Sequence, residues 1–163
     1  DQLMEAGAEF DIKPFGIRAM NSMRLEKSYR LIPSEMSIEY SAFESGLDRF
    51  VRLDKEQDFI GKEALAAWQE KGAENGFVTI EVKGVTDADA RGSEAIYKDG
   101  KVVGRATSGG YGWRCGKSLA LGLVQIDLSA IGTELEIEIL GERYQAVVVE
   151  ESPFDPTNEC LRA

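Results

Sequence analysis

Apolar and polar side chains alternate along the second half of the chain. The clearest runs are 78–82 and 135–139, in which every second residue is Val, Ile or Leu. A period of two is typical of β-strands with one buried face. The dipeptide Asp99-Gly100 tolerates the positive φ angles of a tight hairpin turn. From residue 77 onward these patterns predict five to seven short antiparallel strands, arranged as a small barrel or a sandwich.

The N-terminal part has a different spacing, which indicates helices. Residues 2–9 suit a short helix, and a helix-to-strand junction is predicted near residues 21–22. A second helix is predicted to begin with Asp58 as its N-cap and to end at Gly72, because apolar residues recur at every fourth position between them. A strand is predicted over 50–53, after a turn.

Composition excludes several classes of function. The net charge of −10 argues against nucleic acid and anionic membrane partners, because their phosphates repel an acidic protein. The chain has no histidine, so it contains neither a Ser-His-Asp relay nor a histidine-ligated metal. Cys115 and Cys160 lack a metal-binding spacing and indicate reduced thiols in a cytoplasmic protein, with pairing to each other as the alternative. No apolar run approaches the roughly 20 residues of a membrane span.

The first residue is Asp1, and helix-like sequence follows at once. We therefore expect the chain to be a piece of a longer protein. Such a piece can lack some of the groups on which the chemistry of the whole protein depends.

The glycine-rich stretch GGYGWRCGKSLALG, at 109–122, ends like a nucleotide-binding P-loop. A P-loop requires a glycine five positions before Gly116, and position 111 is Tyr. The residues after Ser118 alternate like a strand, whereas a P-loop opens a helix. The stretch is therefore predicted to connect two antiparallel strands and not to bind ATP or GTP. Residues 84–94 are predicted to form a polar loop.

Five stretches together resemble one protein family, in the family's order and over nearly the whole chain. They are GIRAMNSMRLEKSY (16–29), FESGLDRFVRLDK (43–55), DFIGKEAL (58–65), GKVVGRATSGGYGWRCGKSLALGLV (100–124) and SPFDPTN (152–158). The chain resembles the folate-binding aminomethyltransferases, which include the T-protein of the glycine cleavage system and the C-terminal region of dimethylglycine and sarcosine dehydrogenases. The form AMNSMRLEKSYR looks closer to the dehydrogenase-linked branch.

The resemblance implies an α+β fold, with a remnant of the family's α/β middle domain at 1–72 and an antiparallel C-terminal β-barrel at 77–163. In the family, three domains surround a central opening that admits tetrahydrofolate. The N-terminal folate-binding part would be missing, together with the essential aspartate that assists methylene transfer. No residue of this chain is therefore assigned a catalytic role, and the fragment alone is expected to be inactive.

The resemblance also implies a reaction, namely one-carbon transfer from an N-methylated amine such as dimethylglycine or sarcosine to tetrahydrofolate. FAD would belong to a separate domain, if one is attached. The expected partners are folate, the amine and the missing N-terminal part of the same protein. Two alternatives stay open: a relative that removes a methyl group from sulfur, and a non-catalytic barrel that serves as an interaction scaffold.

A folate ligand needs acidic or amide groups for the pterin edge, apolar or aromatic walls for the rings, and cations for the glutamate carboxylates. The T-protein branch typically has an arginine-aspartate pair where this chain has Met20 and Asn21. An arginine two positions earlier is a candidate to replace that contact, and the glycine-rich stretch can project aromatic rings into a central opening. The candidate folate-binding residues are Arg18, Tyr29, Tyr111, Trp113 and Arg114.

Four of these five candidates also have a structural interpretation. Arg18 can be a surface charge, Tyr29 can lie half in the core, and the rings of Tyr111 and Trp113 can pack over the barrel end. The remaining charged residues are interpreted without a ligand. They are Arg24 in an ion pair with Glu26 or a neighbouring acid, Lys117 as a solvated charge, Glu44 and Asp48 as solvating residues of a turn, and Glu134, Glu136 and Glu138 facing water rather than a metal.

Overall fold

The structure, a computed structural model, describes residues 1–162, which contain six strands and four α-helices. The strands are β1 (Asn75–Val82), β2 (Ala95–Lys98), β3 (Lys101–Gly112), β4 (Lys117–Gln125), β5 (Glu134–Ile139) and β6 (Glu142–Val149). The helices are α1 (Gln2–Ala6), α2 (Ile17–Glu26), α3 (Lys62–Lys71) and α4 (Glu159–Arg162), with short 3-10 helices at Ala8–Phe10, Asp48–Phe50 and Ile126–Leu128. None of these helices combines the length and the apolar character needed to cross a membrane.

The strands close into an antiparallel barrel in the order β1-β4-β3-β2-β5-β6, and β6 pairs back to β1. Closure removes the free edges that an open sheet would expose. Apolar residues face each other inside the barrel, as Ile96 of β2 and Ile137 of β5 do, both fully buried. Burying one such side chain stabilises the fold by about 1.5–3 kcal/mol. The predicted α+β fold that ends in an antiparallel barrel is confirmed.

Two hairpins show how local sequence sets the strand boundaries. The β2-β3 hairpin turns at Asp99 and Gly100, with φ angles of 51° and 75°, as the dipeptide predicts. The β5-β6 hairpin turns at Leu140 and Gly141, with φ angles of 51° and 86°. Between these turns, the 135–139 run alternates between buried and partly exposed positions, as predicted.

Strand β4 is buried on both faces, whereas β5 is buried on one. Residues 118–124 are all buried, and Ala120 and Val124 belong to the core cluster inside the barrel. Leu119 and Leu121 alternate with them and therefore lie on the outer face, where they are also fully buried. Helix α2 covers this outer face by packing against β3 and β4. Among the helices of the N-terminal part, α2 is thus the one that packs on the barrel strands.

The other N-terminal helices have little cover. Neither α1 nor α3 contains a buried residue. Leu3, Phe10 and Ile60 are 81%, 78% and 104% exposed, respectively. This part of the molecule therefore presents apolar side chains to solvent that the barrel does not contact.

Two local predictions for the N-terminal part are wrong. No junction interrupts residues 21–22, because α2 is continuous there: Asn21 Oδ1 accepts a hydrogen bond from Arg24 Nε within the helix. The predicted strand at 50–53 is also wrong. Within 48–53 the structure has a 3-10 helix that ends at Phe50 and no strand, so these apolar residues have no neighbouring strand with which to pair.

The second predicted helix is correct at its end and wrong at its start. Helix α3 ends at Lys71, and Gly72 follows it with a φ of 81°, which suits the residue after a helix. It begins at Lys62 rather than after Asp58, and Gly61 precedes it. The Asp58 carboxylate accepts the N–H of the next residue, Phe59, and does not cap the helix.

Glu44 was predicted to be solvated, and this prediction is wrong, because only 3% of the residue is exposed. Its carboxylate accepts hydrogen bonds from the backbone and hydroxyl groups of Ser41, each at 3.0 Å, and from Asn75 at the start of β1. Burial alone would raise the pKa of Glu44, but these hydrogen bonds together outweigh burial and lower it. The carboxylate therefore ties the turn around Gly46 to the barrel. Asp48, in the same turn, is exposed as predicted.

Glu35 is a second buried carboxylate between the N-terminal part and the barrel. It is fully buried and accepts hydrogen bonds from the hydroxyl groups of Thr107, at 2.6 Å, and Ser108, both in β3. Arg24 of α2 pairs with the same carboxylate at 3.4 Å. Arg24 thus forms the predicted structural ion pair, with Glu35 rather than Glu26 as its partner.

Candidate functional site

An open cleft of about 670 Å³ lies between α2, the 83–94 loop and the end of β3. The three segments meet there because α2 packs across β3 and the loop leaves the barrel beside it. The side chains that line the cleft include Arg18, Asn21 and Ser22 of α2, Asp87, Asp89, Arg91 and Glu94 of the loop, and Tyr111 and Trp113 of the β3 end.

Two aromatic rings form one wall of this cleft. The ring centroids of Tyr111 and Trp113 are 5.0 Å apart, with an angle of 75° between the planes. This edge-to-face arrangement is a favourable one for aromatic pairs. Trp113 is 79% exposed and Tyr111 38% exposed. The rings therefore support each other and leave apolar surface free at the cleft.

Two guanidinium groups line the cleft as well. Arg18 and Arg91 are both exposed, and neither is among the ion pairs of residues 1–162. An arginine without a carboxylate partner is available to bind an anion through paired N–H donors. The cleft can therefore accept a negatively charged group.

The acidic residues of the loop differ in what they bind. Glu94 accepts the backbone N–H groups of Arg91, at 2.9 Å, and Gly92, at 2.7 Å, and so shapes the loop itself. Asp89 accepts the hydroxyl hydrogen of Ser118 at 2.6 Å, which attaches the loop to β4. Asp87 is exposed, and among residues 1–162 no side-chain hydrogen bond engages its carboxylate. Asp87 is therefore the acid of the loop that is free to accept a ligand's N–H groups.

Tyr29 and Arg114, the other two predicted contacts, line a different pocket of about 230 Å³. The Arg114 guanidinium lies 4.9 Å from the centroid of the Phe154 ring, a cation–π distance. Trp113 and Arg114 are neighbours in a tight turn, and their side chains point to different sides of it. The structure thus brings Arg18, Tyr111 and Trp113 together and separates Tyr29 and Arg114 from them.

Sequence reasoning missed the contribution of the 83–94 loop. It identified these residues only as a polar loop, although Asp87 and Arg91 face the same cleft as the aromatic pair. The available signal was the mixture of acids and arginine in DADARGSE, at 87–94. This composition does not show where the loop lies in the fold, because only the packing of the barrel places the loop beside the end of β3.

The other charged residues take part in local pairs. Lys117 lies in the β3-β4 hairpin and pairs with Glu81 at 2.8 Å, so it is less free than the predicted solvated charge. Glu136 and Glu138 lie on the outer face of β5, at 3.8 and 3.9 Å from Arg143. Among residues 1–162, no group of three or more side chains is arranged to hold a metal ion.

Two family models match the chain. Residues 75–155 match the glycine cleavage T-protein C-terminal barrel domain. Residues 1–55 match the GCVT N-terminal domain. The first match covers all six barrel strands, and the second covers α1, α2 and the turns that follow.

Curated relatives are similar over nearly the whole chain. Human mitochondrial dimethylglycine dehydrogenase is 43% identical over 99% of this chain and 19% of its own length. The aminomethyltransferase of Bacillus cytotoxicus is 36% identical over 94% of this chain and 41% of its own length. The chain therefore spans about a fifth of the first relative and about two fifths of the second.

One solved structure shares the fold. The glycine cleavage system aminomethyltransferase T from Bartonella henselae superposes with a TM-score of 0.79 at 24% sequence identity. The match covers 86% of this chain and 39% of that protein.

Proposed function

The chain belongs to the glycine cleavage T-protein family of aminomethyltransferases, and from this premise we propose that it is the C-terminal part of a tetrahydrofolate-dependent aminomethyltransferase-type domain. The whole protein would transfer a one-carbon unit to tetrahydrofolate from an N-methylated amine of the dimethylglycine or sarcosine kind. The similarity to a dimethylglycine dehydrogenase supports that class of donor. A flavin would act in a separate domain, where one is attached.

The observation that supports this proposal most directly is the set of side chains that line the cleft. Tyr111 and Trp113 offer a wall for flat rings, Arg18 and Arg91 offer cations for carboxylates, and Asp87 offers an acceptor for ring N–H groups. These are the three kinds of partner that a folate requires. When bound, tetrahydrofolate supplies the nitrogen that accepts the one-carbon unit. This chain's residues would bind and orient the ligand and shield it from water.

Arg18 takes the role of anchor for the ligand's carboxylate tail. The residues where T-proteins typically carry an arginine-aspartate pair are Met20, which is partly exposed, and Asn21, which accepts a hydrogen bond from Arg24 within α2. Neither supplies a cation. Arg18 lies on the same helix and lines the cleft, so it can replace the contact from a nearby position.

The proposed contacts of Tyr29 and Arg114 have a further requirement. Both residues face the smaller pocket, on the other side of the turn that contains Trp113 and Arg114. A ligand in the main cleft reaches them only where it extends around that turn. Their role in binding stays a prediction of the sequence analysis.

We further propose that 1–72 is part of the family's middle domain and 77–163 its barrel domain. The separate matches that end at residue 55 and begin at residue 75 support a boundary between them. The relatives are longer than the chain, and the exposed apolar side chains of the N-terminal part fit a surface covered by a further part of the same protein. The essential acid of the family would lie in that further part, and this chain alone would be inactive.

The predicted cytoplasmic location stays a proposal. Both cysteines are free in the structure, which suits a reducing compartment. The human relative is named as a mitochondrial protein, and fractionation of cells that express the natural protein distinguishes the two locations.

Arg18→Ala tests the ligand assignment in the full-length protein. We expect tetrahydrofolate to bind about tenfold more weakly, since one charge-assisted hydrogen-bonding group to the tail is lost. Tetrahydropterin, which has no glutamate tail, should bind equally well to both proteins. Arg49→Ala, at an exposed arginine outside the cleft, is the matched control.

Other outcomes identify the alternatives. Equal affinity of wild type and Arg18→Ala for tetrahydrofolate contradicts the tail contact. If tetrahydrofolate changes neither the rate of proteolysis in the turn that contains Trp113 nor the tryptophan fluorescence, the scaffold alternative is favoured. Turnover with an S-methylated donor and none with an N-methylated donor favours the S-demethylating alternative. Full turnover by these 163 residues alone contradicts the proposal that the essential acid lies outside this chain.

A further inference from the structure

Helix α2 carries a third buried carboxylate, and it binds the turn that holds the aromatic wall. Glu26 is 2% exposed. Its Oε1 atom accepts the backbone N–H of Arg114 at 2.6 Å and that of Cys115 at 3.2 Å. Successive backbone N–H groups that converge on one anion define the path of the chain between them. The conformation of the turn is therefore bound to the position of this carboxylate.

Other contacts of α2 act on the same stretch of backbone. The Ser22 hydroxyl donates to the carbonyl oxygen of Tyr111 at 2.6 Å. A Cβ atom added at Gly112 would lie 3.0 Å from Cγ of Glu26 and 3.0 Å from Cδ1 of Leu119. Such distances are shorter than ordinary carbon contacts, so the helix lies directly on the backbone at this glycine. The turn is thus held between α2 and β4.

The charge of Glu26 is balanced mainly by these N–H groups. Among residues 1–162, no lysine or arginine lies within ion-pair distance of it. The neighbouring cations are engaged elsewhere: Lys27 binds the 154–158 segment and Arg114 stacks on Phe154. A buried carboxylate stabilised in this way favours the one turn geometry that presents both donors.

We propose that Glu26 is a positioning residue for the ligand cleft. It fixes the backbone after Gly112 and thereby fixes the direction in which Tyr111 and Trp113 project, while Glu26 itself does not line the main cleft. The identity of the ligand rests on the proposed function above. The geometric part, in which the carboxylate fixes the aromatic pair, is independent of that identity.

The test compares two matched variants of the full-length protein, Glu26→Gln and Glu44→Gln. Both replace a buried carboxylate of the N-terminal part that accepts backbone N–H groups, and Glu44 contacts Ser41 and Asn75 rather than the turn. In Glu26→Gln we expect amide exchange of Arg114 and Cys115 to accelerate about tenfold or more. The near-UV circular dichroism that Trp113→Phe removes should shrink as well.

Ligand binding gives the second measurement. Tetrahydrofolate should bind to Glu26→Gln about tenfold more weakly than to wild type, and to Glu44→Gln with unchanged affinity. Glu26→Ala serves as a second variant, because the glutamine oxygen can retain part of the hydrogen bonding. Glu26→Asp, which keeps the charge on a shorter side chain, should restore part of the affinity.

Unchanged exchange and circular dichroism in both Glu26→Gln and Glu26→Ala overturn the proposal. It is equally overturned where exchange accelerates but the affinity for tetrahydrofolate stays that of wild type, or where Glu44→Gln weakens binding as much. Failure of the unmodified protein to bind tetrahydrofolate contradicts the proposed function instead. Exchange and circular dichroism then still decide whether Glu26 fixes the aromatic pair.

Discussion

The barrel and the N-terminal part solve the problem of burial in different ways. In the barrel, alternating Val, Ile and Leu side chains fill a closed interior, and Ile80, Ile96 and Ile137 are fully buried. In the N-terminal part, α1 and α3 bury no residue, and its contacts with the barrel include helix α2, three buried glutamates and surface pairs such as that of Glu39 with Arg105. The barrel thus carries its own apolar core, whereas the N-terminal part is attached through α2, whose Leu25 is fully buried, and through specific polar contacts.

This difference bears on function because the cleft lies where the two regions meet. The barrel supplies the aromatic pair and the acidic loop, and the N-terminal part supplies Arg18 and the helix that holds the turn. A stable barrel keeps the strand ends fixed. Polar contacts, which depend on distance and angle, then set how the cleft is shaped.

The largest expected effect concerns the apolar core. Ile96→Ala should lower the free energy of unfolding by about 2–5 kcal/mol, because it leaves a cavity inside the barrel. Ile60→Ala, the same change at a fully exposed position next to α3, should alter it by less than about 0.5 kcal/mol. Urea unfolding of these 163 residues measures both. A comparable loss of unfolding free energy for Ile60→Ala would contradict the difference between the barrel core and the N-terminal part. A loss for Ile60→Ala that is seen only in the full-length protein would show that another part of the protein covers this apolar surface.

A smaller effect is expected at the polar contacts. Glu35→Gln should lower the free energy of unfolding by about 1.5–3 kcal/mol, since it removes the charge that accepts hydrogen bonds from Thr107 and Ser108 and pairs with Arg24. Glu39→Gln is the control, because Glu39 pairs with Arg105 at the surface, where such pairs contribute about 0–1 kcal/mol. Equal losses of unfolding free energy in the two variants would show that burial of the carboxylate does not determine how much it contributes to stability.

The smallest effect concerns acid pH. The pKa of Glu44 lies below its ordinary value in the folded protein, so its contribution to stability is complete above the unfolded pKa, near 4.3, and is lost as the pH falls through the folded pKa. Glu44→Gln should therefore lower stability at neutral pH and reduce the loss of stability on acidification. Unfolding curves between pH 3 and pH 7 measure this difference. Parallel pH profiles for wild type and Glu44→Gln would contradict the assignment.

The predictable part of the fold was the part governed by local periodicity. Alternation in 135–139 and the dipeptide Asp99-Gly100 predict β5 and the first hairpin correctly, because a strand with one wet face and a turn with positive φ angles each impose their own residue types. Strand β4 was predicted as well, although the cover on its outer face was not. The predictions failed at residues 21–22, where α2 continues, and at 50–53, where no strand forms, because short apolar runs do not by themselves distinguish a strand from a helix or a turn.

The candidate site was predictable only in its residue types. Arg18, Tyr111 and Trp113 were chosen because arginine and aromatic side chains suit a folate, and the structure places them at one cleft. The same reasoning could not separate Tyr29 and Arg114 from them, since neighbours in a turn can point to opposite sides. It also could not identify Asp87 and Arg91, which join the cleft only through the packing of a loop.

By itself, the sequence determined the barrel strands, the family and the absence of histidine chemistry, since all three depend on residue order and composition alone. Which glutamates are buried was decided by the tertiary structure. Glu26, Glu35 and Glu44 are as polar as any surface glutamate. Nearby residues such as Ser41 and Leu31 supply some of their hydrogen-bond donors, and the approach of β1, β3 and the turn after β3 supplies the others that make their burial favourable. Burial of a charge depends on its partners, and the partners that the barrel and the turn after β3 supply lie 31 to 89 residues away along the chain.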